Sequence, residues 1–89
     1  MSNKKIALEL LSGPGDTIQE ILDENGNDKR WLADQLDISG NQAWKLLKNE
    51  LFIDRLLMAK LAHVFKIDFS YWYNRQKLFR EKRIRIKRL

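Results

Sequence analysis

With 89 residues, 44% of them hydrophobic and none of them cysteine, the chain can build one domain with one modest core, and disulfides and thiolate metal sites are excluded. No apolar run approaches the length needed to span a bilayer, and the opening MSNKKIALEL lacks a signal-peptide cleavage pattern, so a cytoplasmic setting without membrane partners is expected. The net charge of +5 is unevenly spread: residues 1 to 74 carry nine basic and eleven acidic side chains, residues 75 to 89 eight basic and one acidic. The body is therefore mildly acidic and the end strongly basic, so affinity for a polyanion must come from the end or from a local patch.

In chain order, residues 1 to 12 are ambiguous. Ile6, Leu8 and Leu10 alternate like a strand, while Leu10 and Leu11 also fit a short helix. Ser12-Gly13-Pro14-Gly15 breaks whatever precedes it, and this single proline leaves the rest free to be helical. A helix is predicted from near Asp16, with Ile18, Ile21 and Leu22 inward and Asn25-Gly26 as its left-handed stop.

The next stretch, DKRWLADQLDISGNQAWKLLKN, reads as two short helices around a tight turn. Asp28 is placed to cap the first, over residues 29 to 36, whose apolar stripe is Leu32, Ala33 and Leu36. Asp37 stands in the turn, where left-handed backbone is wanted. Ser39 is placed to cap the second helix, which reaches about Lys48 with Ala43, Leu46 and Leu47 inward. At 100° per residue the opposite face holds Asn41, Lys45 and Lys48, with Gln42 and Trp44 on its flanks. Amide side chains can bond bidentately to the N6/N7 edge of adenine, and Lys can donate to guanine O6/N7. The pattern is that of a helix-turn-helix, although an ordinary helical hairpin has the same periodicity.

Residues 50 to 53 form a short connection, with Phe52 and Ile53 expected against the core. Asp54 caps a fourth helix to about Phe65, so rich in Leu56, Leu57, Leu61, Ala62, Val64 and Phe65 that it is expected to be largely buried. After a brief turn at Lys66-Ile67, Asp68 caps a fifth helix on which Phe69, Trp72, Tyr73 and Phe79 recur at helical spacing. This aromatic surface exceeds the needs of a thin core, and part of it is read as a dimer interface of Phe69, Trp72, Tyr73, Gln76 and Phe79. The final KRIRIKRL, residues 82 to 89, suits either a strand with Ile84 and Ile86 on one face or a disordered arm tracking phosphates.

From Pro14 onward the chain resembles the lambda-repressor-like (Xre) helix-turn-helix family, and within it the HigA-type antitoxins. Pro14-Gly15-Asp16 matches that group's opening Pro-Gly-Glu, Gly26 its first helix stop, Leu32-Ala33 its second helix, and Ser39 the start of its recognition helix. Tyr71-Trp72-Tyr73-Asn74-Arg75-Gln76 is the counterpart of its late Phe-Trp-Leu-Asn-Leu-Gln, and no gap is needed over residues 14 to 76. The resemblance implies an all-α, five-helix DNA-binding domain over residues 14 to 80, flanked by an extension (1 to 13) and a basic tail (81 to 89). It further implies a homodimer on a palindromic operator. Ser39, Gly40, Asn41, Gln42 and Lys45 would face base edges, and Lys29, its neighbour Arg30, and Lys48 would meet phosphate.

Departures from the family pattern are specific. Asp37, Asn49 and Lys66 stand where glycines are usual, and Asn27 replaces an apolar residue. Glu50 replaces a basic residue beside the phosphates, and Gly40 brings no side chain to a base. Trp31 and Trp44 stand where small or polar residues are usual; they can pack on each other, on the DNA backbone or on a partner. With the basic Arg83, Arg85, Lys87 and Arg88 they complete the candidates for DNA or partner contact.

Catalysis is not expected: the one histidine, His63, lies between Ala62 and Val64 without an orienting carboxylate, and no spacing suggests a metal or cofactor site. The expected function is a sequence-specific, double-stranded-DNA-binding repressor, antitoxin-like. The competing readings are a module that neutralises a toxin protein, and nonspecific nucleic-acid binding through the basic tail.

Overall fold

A computed structural model of the protein describes residues 3 to 88. The described chain is all-α, with six helices in the order α1 (Asn3–Leu10), α2 (Pro14–Asn25), α3 (Lys29–Leu36), α4 (Gly40–Leu47), α5 (Arg55–Phe65) and α6 (Phe69–Lys87). None of them is long and apolar enough to cross a membrane.

The caps follow the sequence closely. Asp28, Ser39 and Asp54 accept from the N–H groups of Trp31, Gln42 and Leu57 at 2.9, 3.0 and 2.8 Å. Left-handed backbone occurs at Gly26, Asp37, Asn49 and Lys66 (φ 69°, 53°, 61° and 55°), so the three non-glycine residues do adopt the strained turn geometry. Asp68 accepts from the hydroxyl of Ser70 and, at 3.2 Å, from its N–H. These two bonds, the hydroxyl's first, hold its carboxyl below the ordinary value. A depressed carboxyl stabilises the folded form above its unfolded value, and that stability is lost as pH falls through the folded one. In an acid titration the Ser70 amide signal should therefore shift below the normal carboxylate range, and Asp68→Asn should abolish the shift.

The core lies where α2, α3, α4, α5 and α6 meet. Ile18, Leu22, Leu32, Leu36, Leu46, Ile53, Leu61 and Trp72 are nearly or wholly shut from solvent, each aliphatic member contributing roughly 1.5–3 kcal/mol by its burial. α4 packs on α2 and α3, and α6 packs on α5, α2 and α1.

Several expectations need correction. The five helices expected over residues 14 to 80 are α2 to α6, and of the two readings left open for the preceding extension the helix holds, since residues 3 to 10 form α1, which packs on α6. α2 begins at Pro14, not near Asp16, because proline's fixed φ suits the first helical position. The basic end is neither strand nor disordered arm. α6 runs through it to Lys87, since Arg, Lys and Glu are good helix formers and Ile costs little in a helix whose first turns are already anchored. Phe52 is exposed rather than pinned, and α5 is less buried than predicted, with Leu56 66% accessible. A long apolar list on one helix does not bury every side when only two helices, α3 and α6, cover it.

Candidate nucleic-acid interface

The outer face of α4 is built by its two ends. At the start, Ser39 Oγ accepts from the Gln42 N–H, and Gln42 Oε1 accepts in return from the Ser39 N–H, both at 3.0 Å. This reciprocal capping box was legible as Ser-x-x-Gln but was missed in the face reading. It engages one lone pair of the Gln42 oxygen within its own helix. The exposed Gln42 keeps its NH₂ donors and a second oxygen lone pair for a base edge, while the cap restrains how its amide can turn toward adenine.

Asn41, Lys45 and Lys48 are all exposed, while Ala43 and Leu46 beneath them are buried. Lys48 Nζ sits 4.8 Å from the ring centroid of Trp44, which restrains the ammonium at the far end of the face. Gly40 is exposed; a Cβ there would meet nothing within 4 Å, and its φ is not left-handed. The fold does not require glycine at this position, so what the missing side chain provides is close access from outside. Ser39, Lys29 and Arg30 are exposed at the starts of α4 and α3.

The turn between α3 and α4 is held from both sides. Ile38 N–H returns to Ala33 O at 3.1 Å, and Lys60 Nζ on α5 donates to Leu36 O at 3.0 Å. At the other end of α4, Asn49 ties the helix to the start of α2. Its Oδ1 accepts from the Gly15 N–H at 2.7 Å, and its Nδ2 donates to Asp16 Oδ2 at 2.9 Å. The same Asp16 oxygen accepts from the Gly13 N–H at 2.7 Å. Sequence reading assigned Asn49 only its backbone conformation; its side-chain role depends on a contact 33 to 34 residues away and had no local signal.

The remaining candidates are dispersed. Trp31 is half-buried and pairs with Phe65 (centroids 6.3 Å apart) rather than with Trp44, which is 43% exposed. Of the residues read as a dimer interface, Trp72 and Gln76 are buried within the chain itself. Gln76 bonds both backbone groups of Ile53, accepting at 2.7 Å and donating at 2.8 Å. Phe79 is half-buried, and Phe69 and Tyr73, four residues apart, are exposed. A helical stripe reads the same whether it faces the chain's own core or another copy, so spacing could not separate these groups. Arg83, Arg85 and Lys87 are exposed on α6, Arg88 is exposed just after it, and His63 is exposed on α5.

No family model, curated protein or solved structure matches this chain.

Proposed function

We propose that the protein is a sequence-specific DNA-binding transcriptional regulator of the lambda-repressor-like kind, placing α4 in the major groove of a palindromic operator as a homodimer. The observation that carries the reading is the outer face of α4. Asn41, Lys45 and Lys48 point to solvent in line, beside a glycine that the chain's own packing does not need. An amide and two ammonium groups at this spacing supply base-edge donors and acceptors together with a phosphate contact, and Lys29 and Arg30 at the start of α3 can add phosphate contacts. An antitoxin role belongs to the same proposal through the Pro14-Gly15-Asp16 match and remains secondary to DNA reading.

One observation favours a protein partner. Phe52, Tyr73 and Ile84 are exposed around a groove of about 510 Å³ between the start of α5 and α6. An apolar groove of this kind suits a second copy of the chain or a toxin.

Selection from a pool of random duplexes tests the reading. The wild-type chain should enrich a palindrome, and Asn41→Ala should weaken binding to it about 10- to 100-fold while relaxing one position in each half-site. Absence of any enriched sequence would refute the reading.

A further inference from the structure

Beyond Glu81, α6 carries Lys82, Arg83, Arg85 and Lys87, distributed around its axis, and Arg88 follows as its C-cap. Arg83 and Lys87, one turn apart, line a shallow depression of about 620 Å³ together with Leu8 and Leu11 and with Leu47, Lys48 and Asn49 at the end of α4. Arg85 and Arg88 line a different depression with Glu81 and Ile84. The basic end is thus divided, and one half adjoins the candidate recognition helix.

We propose that Arg83 and Lys87 join Lys48 in a second phosphate-binding surface, which takes the DNA backbone past the end of the α4 contact. The inference rests on the DNA-reading function above. Lys48 shares the outward face of α4 with Asn41 and Lys45, so a duplex meeting those residues brings phosphates to Lys48. The depression continues from that point to Arg83 and Lys87. Their helix is anchored before they are reached, by Trp72 in the core and by Gln76 on Ile53, and α1 packs on it, with Leu8 lining the same depression. Two cationic side chains on a braced helix lose less freedom on binding than the same charges on a free arm.

Two carboxylates share this depression. Asp16 is engaged by Gly13 N–H and Asn49 Nδ2. Glu50 is exposed and opposes a phosphate there. The surface is therefore net cationic but moderated, and Glu50 sets the strength of the contact.

The test measures affinity of the full chain for its selected duplex between 50 and 200 mM salt. Arg83→Gln/Lys87→Gln is compared with Lys77→Gln/Arg85→Gln, which removes the same charge from other sides of α6. Losing two phosphate contacts lowers the slope of log affinity against log salt by about 1.8. The Arg83/Lys87 variant should then lose about tenfold less affinity over this range than the wild type, and the Lys77/Arg85 variant should keep the wild-type slope. Glu50→Gln should tighten binding. Circular dichroism checks that α6 stays helical in each variant. Equal slopes in the two double variants would overturn the inference while leaving the DNA-reading function intact. Failure of the wild-type chain to bind any duplex would remove both.

Discussion

Replacing Gly15 with alanine should cost the fold about 3 kcal/mol, at the upper end of what overpacking does. For a domain of this size the melting temperature should fall by roughly 12–24 °C. A Cβ at Gly15 would stand 2.3 Å from Leu46 O, 2.6 Å from Leu47 O and 2.8 Å from Asn49 Oδ1. Two of these three are backbone atoms of α4 and cannot swing aside as a flexible side chain would. α2 must back away, and the Gly15–Asn49 and Asp16–Asn49 bonds are lost with that movement. Gly40→Ala is the matching control, since it meets open space and should leave the melting temperature unchanged or slightly higher. Thermal unfolding followed by circular dichroism checks both. A Gly15→Ala protein that melts with the wild type would show that the close approach of α2 to α4 is not required.

Gln76→Leu should be the second large loss, about 2–6 kcal/mol. The leucine is similar in size, so little cavity opens. The damage is that the N–H and C=O of Ile53 lose both partners where water does not reach, at roughly 1–3 kcal/mol for each group. Two bonds from one amide are what hold the connection after α4 to α6. Hydrogen exchange separates this from a general weakening: the Ile53 amide should lose more protection than the amides of α2. An unchanged Ile53 amide would mean that the connection is held by Ile53's apolar side chain alone.

Much of this protein is readable without coordinates because the relevant physics is local. The caps at Asp28, Ser39, Asp54 and Asp68 need only an acceptor at the right offset from a free N–H. The left-handed stops at Gly26 and Asp37 need only a residue that tolerates positive φ, and the apolar spacing of Leu32, Leu36, Ala43 and Leu46 needs only the helical period. The outward direction of Asn41, Lys45 and Lys48 follows from the same period once the inward residues are known.

Other features were decided by contacts between distant segments, to which periodicity is blind. α1 looks ambiguous alone and is helical where it packs on α6, and the basic end is helical because it prolongs the anchored turns of α6. Trp72 and Gln76 became core, and Phe52 and Leu56 became surface, according to which neighbouring helices arrived to cover them. The tertiary structure also made Asn49 the tie between α2 and α4 and divided the basic end into a half beside Lys48 and a half turned elsewhere. Composition determines how much charge and apolar surface the chain carries. Which charges stand together depends on how one helix lies across another.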